Sequence, residues 1–459
     1  MSPDLMHSAG CGELLKPGDP GYEEARIVWN AMIDRRPALI ARCRNAKEVA
    51  SAVNHARERD LRISVRAGGH NVAGYAVCDG GMMIDLSLMK TVRVGRGLDR
   101  IFVDGGATWG DVDAASVPHE RATPGGLIST TGVAGLTLSG GLGWLRGKHG
   151  LSCDNLVSAD LVTAEGTFVR ASASENPDLF WALRGGGGNF GIVVKFEFEL
   201  HPIPNELMFC APAYPEEKAA DILSHWGKYM ADAPDEVTGL AEFSTIPEDP
   251  GYPQDCWGRR ILTLATVYDG PADLGDQVTK PLRQFGEKVL DFSDRLPYRT
   301  LQTLYDALFP KGRDRCYWKS TYLKDLKQET VEAIVKGVSR RPSEMTLASV
   351  WKLGGRMRHV PLDATAFGDR SMPFMLSLDA IWSRPSEDEA NITWARSVWS
   401  ELQPHSTGRS YLNFPGLGEA PNLVRDAFGP DGFERLLRIK QQYDPGNLFR
   451  MNQNICPDG

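Results

Sequence analysis

Between Ala122 and Gly143 the chain carries a run that neither an ordinary surface loop nor a stable helix accounts for. It reads Ala122-Thr123-Pro124-Gly125-Gly126-Leu127-Ile128-Ser129-Thr130-Thr131-Gly132-Val133-Ala134-Gly135 and, three residues later, Ser139-Gly140-Gly141-Leu142-Gly143. Glycines on this scale weaken a helix interior. A flexible linker would be polar, whereas this run holds Leu127, Ile128, Leu136 and Leu138. Backbone lying against a large, flat ligand explains both the glycines and the missing charge. The chain has 48 glycines in 459 residues, above the usual share of about 7%, and they cluster between positions 68 and 191.

A second glycine segment, Arg66-Ala67-Gly68-Gly69-His70-Asn71, follows the alternating stretch Leu61 to Val65. Successive N–H groups in such a turn form a nest for an anion such as a pyrophosphate, and His70 would lie beside whatever the phosphates anchor. An ordinary turn after a strand has the same composition, so the hexapeptide alone leaves both readings open. A third segment runs from Arg184 through Gly185-Gly186-Gly187-Gly188-Asn189-Phe190-Gly191.

Several familiar chemistries are excluded. No Gly-Lys-Ser/Thr follows a glycine loop, no strand–glycine–helix unit with a suitable acidic residue downstream gives a Rossmann fingerprint, and no Gly-x-Ser-x-Gly elbow occurs. Histidines are too far apart to suggest a metal site. The eight cysteines are scattered without a Cys-x-x-Cys pair, which predicts reduced, mostly buried thiols in a cytoplasmic setting. A net charge of −8, built from mixed signs, argues against nucleic acid. There is no apolar run long enough to span a membrane and no basic-then-apolar leader in Met1 to Lys16.

The chain divides by texture. Residues 1 to about 20 read as a mobile arm. A helix is expected over Glu23 to Met32, then a β-α-β unit: strand Leu39 to Cys43, a helix opened by the capping box Asn45 to Glu48, and a strand at Ile63/Val65. Further strands are expected near Gly80–Leu86 and Ile101–Ala107, a hairpin around Glu165-Gly166, a helix over Asp178 to Leu183 and a half-exposed strand over Val194 to Leu200. His201-Pro202-Ile203-Pro204 marks a boundary. Beyond it, strands are expected at Leu262–Tyr268, Tyr317–Tyr322, Met345–Trp351 and Phe374–Trp382. Helices are expected at Glu216–Met230, Lys327–Arg340 and Asp388–Leu402. Together these suggest a sheet backed by helices on one side.

Six ordered motifs resemble those of the berberine bridge enzyme-like family of FAD-linked oxidoreductases, flavoproteins with a PCMH-type FAD-binding domain. They are Arg66 to Asn71, Thr123-Pro124-Gly125-Gly126, Gly150-Leu151-Ser152-Cys153-Asp154-Asn155, Arg184 to Gly191, Tyr411-Leu412-Asn413-Phe414 and Phe449-Arg450-Met451-Asn452-Gln453-Asn454-Ile455. The resemblance implies an α+β fold with a two-part FAD-binding domain over residues 25–204. It implies a substrate domain over 205–410, with an antiparallel sheet backed by helices, and a segment 411–459 returning to the FAD domain. It implies FAD bound covalently twice, His70 to the flavin 8α-methyl group and Cys153 to ring carbon 6. Thiolate attack on an electron-poor ring and imidazole addition at an activated methyl carbon both need the nucleophile held close. His149 is a tempting base beside Cys153, although a surface histidine on a turn is the plainer reading. The remaining FAD contacts it implies are Arg66, Ala67, Gly68, Gly69, Asn71, Gly125, Gly126, Thr131, Val133, Gly140, Gly141, Gly143, Asn155, Gly191, Ile192, Val193, Asn413 and Asn452.

The implied reaction is two-electron oxidation of an alcohol, amine, sugar or phenolic metabolite, with dioxygen as acceptor and a monomer or homodimer as the working unit. A dehydrogenase using another acceptor, or a non-catalytic binding protein on the same fold, are the competing readings. Tyr411 matches the family tyrosine near the ring and is the first candidate base. Asp379, in the apolar strand Phe374 to Trp382, is the second, because burial raises a carboxyl's pKa. Lys319 is the third, as a lysine expected to face the same cavity. Val133 resembles the small residue that admits oxygen, while Ala134 and Leu136 depart from the plant pattern. Arg356 is expected to border the pocket and favour an acidic or oxygen-rich substrate.

Overall fold

Asn45 opens its helix as a capping residue should, its side chain accepting a hydrogen bond from Glu48 N at 3.1 Å. Ala46–Glu58 then buries Val49, Ala52, Val53 and Ala56 along one face. The helix joins strands Leu39–Arg42 and Ile63–Arg66, which do not pair with each other. Met82–Asp85 lies between them, parallel to both, and Glu13–Leu15 adds an antiparallel outer edge. The computed structural model describes residues 10–419 and 422–457. The expected mobile arm is corrected in part: residues 1–9 lie outside the described residues, while Leu15 is buried with Tyr22 and Ile40.

The helix expected over Glu23 to Met32 covers only Tyr22–Arg26. The residues after Arg26 find their partners far along the chain: Trp29 N donates to Gly69 O at 3.0 Å, and Asn30 Nδ2 donates to Val72 O at 2.7 Å and Cys316 O at 2.8 Å. Those long-range bonds pull the chain out of the helix and tie the two halves of the molecule together.

A five-stranded antiparallel sheet comes next, in the order Val92–Val94, Arg100–Asp104, Ile192–Glu199, Leu156–Val162, Phe168–Ser172. The hairpin at Glu165-Gly166 joins its last two strands. The glycine run between Ala122 and Gly143 belongs to this half of the molecule; after Ala122, which pairs with His201 in a two-residue strand, its one regular element is the short helix Val133–Leu138.

The second half is built on a larger antiparallel sheet whose longest strands are Arg260–Tyr268, Val237–Thr245, Leu347–Lys352, Phe374–Trp382 and, at one edge, Arg315–Leu323, in that order. One face carries Phe243, Ala348, Val350, Leu376, Leu378, Ala380 and Trp382, packed on helices Ala219–Asp232, Gln328–Val338 and Asp388–Glu401. The other face looks toward the glycine-rich half. The C-terminal helix Asn422–Tyr443, broken at Gly429 and Pro430, returns the chain to that half. There Lys440 Nζ, fully buried, binds Asp444 Oδ2 at 2.7 Å, Asn189 O at 2.9 Å and Phe449 O at 3.0 Å. No helix among the described residues is long and apolar enough to cross a membrane.

Candidate active site

The glycine-rich half and the open face of the large sheet enclose a cavity of about 290 Å³. One wall is backbone. A Cβ on Gly68 would lie 2.3 Å from Gly132 N, so the nest at Ala67 to His70 and the run at Gly132 can touch only as glycines. Likewise a Cβ on Gly143 would lie 1.6 Å from Gly125 O. The glycines that looked like a ligand bed in the sequence thus serve two ends: some face the cavity, and others let the surrounding chain layers close behind it.

His70 stands on that wall. Its ring stacks on Trp29, with centroids 5.6 Å apart and planes 15° from parallel, and Nε2 lies 3.0 Å from Thr130 Oγ1. Burial, with a smaller contribution from the Lys311 charge, lowers its pKa to about 4, so the imidazole is neutral at pH 7. Nδ1 has no hydrogen-bond partner among the described residues. Asn452, on the returning C-terminal segment, lines the same cavity and keeps an unpartnered buried Oδ1. A neutral, oriented imidazole, a backbone bed no side chain could fill and a free amide oxygen are the groups an isoalloxazine and its phosphate tail need; the residues fit FAD.

The facing wall consists of three cross-strand rows. Trp318 pairs Asp379, which pairs Leu347; Ser320 pairs Ser377, then Ser349, then Glu242; Tyr322 pairs Met375, then Trp351, then Leu240. The two acids are the ionisable centre of this face. Burial raises the pKa of Asp379 to about 8, with the Glu242 charge adding to it and a hydrogen bond from Ser377 Oγ at 3.0 Å opposing it. Burial likewise raises Glu242 to about 7 against hydrogen bonds from Ser349 and Tyr305. Asp379 Oδ1 has no partner.

Tyr411 lines the cavity from the third side. Its hydroxyl oxygen accepts from Asn413 Nδ2 at 2.7 Å, Gly141 N at 3.0 Å and Leu142 N at 3.2 Å. Burial outweighs those donors and pushes the phenol up to about 12, so it keeps its proton at neutral pH.

Of the residues expected from the sequence, Ala67, Gly68, Gly69, His70, Asn71, Gly126, Thr131, Gly191, Ile192, Val193, Asp379, Tyr411, Asn413 and Asn452 line this cavity. The others do not. Cys153 is fully buried behind it; its amide donates to Gly140 O, its thiol faces Asp154, and burial drives its pKa far upward. No cysteine lines the cavity among the described residues. Asp154 is in turn held by Arg370, at 2.6 and 2.9 Å. Lys319 points to the helix side of its strand, where Nζ binds Glu419 at 2.6 and 2.8 Å over the Trp399 ring. The alternation of a strand puts it on the opposite face from Trp318.

Val133 packs in the core with Trp109 and Ile101, and Ala134 faces the cavity in its place. Arg66 lies beneath the nest, paired with Asp85. Gly125, Gly140, Gly141 and Gly143 are packing glycines in the layer behind. Asn155 binds His201 Nε2 at 2.6 Å. His149 is not a loose surface histidine: it stacks on His201 at 4.0 Å and meets Asp269 at 3.2 Å, away from Cys153's thiol contacts. Arg356 lies off the cavity.

Glu242 is the principal site residue that the sequence did not disclose, because the strand Val237–Thr245 was itself unrecognised. Its residues are buried on both faces, without the alternation that marks a half-buried strand. A single acid in the run Leu240-Ala241-Glu242-Phe243 was the available signal, the same one that singled out Asp379. Tyr305, Trp318 and Trp351 also line the cavity without having been singled out as site residues.

Residues 37–172 match the model of an FAD binding domain, and residues 410–456 match the berberine and berberine-like model. An FAD-linked oxidoreductase of Bacillus subtilis is 30% identical over 456 residues, covering 97% of each chain. The (R)-6-hydroxynicotine oxidase of Paenarthrobacter nicotinovorans is 29% identical, covering 98% of this chain and 97% of that one. The crystal structure of 6-hydroxy-D-nicotine oxidase from Arthrobacter nicotinovorans superposes with a TM-score of 0.85 at 28% identity, over 97% of this chain and 98% of that one. A Physcomitrella patens berberine bridge enzyme-like protein shares the fold, with a TM-score of 0.89 at 20% identity over 100% of this chain and 99% of that one.

Proposed function

Because the chain belongs to the berberine bridge enzyme-like FAD-linked oxidoreductases, we propose that it oxidises a small alcohol or amine at a flavin tethered by His70 alone, with the Glu242–Asp379 pair as proton acceptor. The observation that carries this reading is the meeting of His70, Asp379 and Glu242 on one cavity wall system in which no cysteine takes part among the described residues. Bound between the His70 wall and the sheet face that carries Glu242 and Asp379, a flavin would supply two-electron acceptor chemistry, with dioxygen as the terminal oxidant.

The chain's own residues do the rest. Neutral His70, fixed by Trp29 and Thr130, presents Nδ1 as the nucleophile for the tether. Removing the hydroxyl or amine proton falls to a carboxylate whose pKa has been brought near the working pH, where a general base is most effective. Tyr411, still protonated, holds the Gly141–Leu142 amides and Asn413 in place. Trp318, Trp351 and Phe414 exclude water from the reacting centre. Ala134 leaves the space that a larger side chain would close to oxygen.

Acid denaturation of the purified holoenzyme tests the tether. A yellow pellet is expected for the wild type and for Cys153→Ser, and a colourless pellet with free FAD in solution for His70→Ala. A colourless Cys153→Ser pellet, or a yellow His70→Ala pellet, would overturn the single-tether reading.

A further inference from the structure

The proposed reaction leaves open whether the substrate is neutral or charged, and the cavity's own composition bears on that choice. Glu242 and Asp379 face it together, and no lysine or arginine lines it among the described residues. Their other neighbours carry no positive charge: Ser349 and Tyr305 beside Glu242, Ser377 and Cys316 beside Asp379. Arg146 sits over Trp351, 5.3 Å from the ring, but spends its N–H groups on the carbonyls of Gly143, Gly239 and Lys352. Lys311 acts on His70 from outside the lining.

Two further observations point to a ligand. Asp379 is 7% exposed, yet its Oδ1 has no partner, and Trp318 is 9% exposed with an unpartnered Nε1. A buried carboxyl group with no cation beside it keeps its proton, and it ionises where a bound ligand supplies the opposite charge. The walls around the acids are aromatic: Phe414 meets Trp318 at 5.4 Å, Trp351 at 5.9 Å and Tyr411 at 5.0 Å. Rings of this kind attract a desolvated cation through their electron-rich faces.

We infer that the cavity takes an aromatic or benzylic amine in its protonated form, the ammonium held by Glu242 and Asp379 among Trp318, Trp351 and Phe414. This rests on the reading of the cavity as a substrate site. It narrows the substrate to a cation and disfavours sugars, neutral alcohols and acids. Once bound, the ammonium gives one N–H proton to a carboxylate, leaving a neutral amine with its lone pair free for oxidation.

The test compares N-methylbenzylamine with benzyl methyl ether, its uncharged isostere, binding to the holoenzyme at pH 8 and read by tryptophan fluorescence. The amine is expected to bind about tenfold tighter or better in the wild type. In the Glu242→Gln, Asp379→Asn double variant the two affinities should converge while that of the ether is unchanged, which also reports an intact cavity. If the double variant does not fold, Glu242→Gln alone should narrow the gap. Equal binding in the wild type, or a preference that survives the substitutions, would overturn the inference. The acid-pellet assay is independent: a colourless wild-type pellet sinks the tether and leaves the amine preference standing, and the reverse holds equally.

Discussion

Asp379 and Glu242 stand on strands separated by Leu347–Lys352, yet they share one cavity face, and the charge of Glu242 adds to burial in holding Asp379 protonated. The pair therefore titrates as a unit, near pH 7 to 8, well above ordinary carboxyls.

Flavin reduction by substrate should accordingly rise with pH through that range and level off above it, because the ionised form is the proton acceptor. Ser377, Ser349, Tyr305 and Cys316 are the other groups facing the pair, and none titrates there. Glu242→Gln removes a neighbouring negative charge, so the remaining inflection should move to lower pH. Asp379→Asn should slow reduction by roughly 10²- to 10⁴-fold. Anaerobic stopped-flow traces from pH 5.5 to about 9.5 check both; a flat wild-type profile counts against the pair as base.

The same shift has a stability consequence of defined sign. Asp379 has a folded pKa of about 8 against the ordinary aspartate value of 3.8 in the unfolded chain. Between those values the unfolded chain is ionised and the folded one protonated, so unfolding releases a proton and stability falls as pH rises. The contribution is fully present below pH 4 and lost above pH 8, on the order of 5 kcal/mol at most. Asp379→Asn removes this dependence. Its melting temperature should gain on the wild type steadily from pH 5 to about 8, as differential scanning calorimetry of matched holoproteins would show.

What the sequence made legible came from local physics. The Asn45 cap, the Glu165-Gly166 hairpin and the strand Phe374–Trp382 rest on neighbouring residues, and each stands where those residues put it. The site was legible where backbone made it, at Gly68 to Asn71. It was less legible where a side chain's direction decided. Lys319 and Trp318 are adjacent, and only the pairing of their strand with Phe374–Trp382 determines which one meets the cavity. Cys153 sits within a motif, but the Gly140 backbone lies beside it and its thiol turns to Asp154. Glu242 was hidden because a strand buried on both faces has no period to read.

Lys319 supplies a contrasting prediction. It is 7% exposed and paired with Glu419 on the helix side of the sheet. Lys319→Met would leave Glu419 without its partner and cost about 3–5 kcal/mol by the usual behaviour of broken buried pairs, or less because Glu419 keeps a bond from Tyr317. The rate of flavin reduction should stay within about twofold of wild type. A variant with normal stability and abolished reduction would return Lys319 to the reaction.

Tyr411→Phe separates a base from a scaffold. If the phenol were the base, its loss would cut flavin reduction by roughly 10²-fold or more and leave stability nearly unchanged. The geometry predicts the opposite. The Tyr411 oxygen is the acceptor for two buried backbone N–H groups, those of Gly141 and Leu142, and for Asn413 Nδ2. Removing it strands those donors, at about 1–3 kcal/mol. Melting temperature should therefore fall by several degrees. Reduction should slow by no more than about tenfold, through misplacement of the Asn413 and Gly141 segments rather than loss of a proton acceptor. The pH profile distinguishes the two readings even where the rates do not, since the limb between pH 7 and 8 belongs to Glu242 and Asp379 and should persist unchanged in the phenylalanine variant.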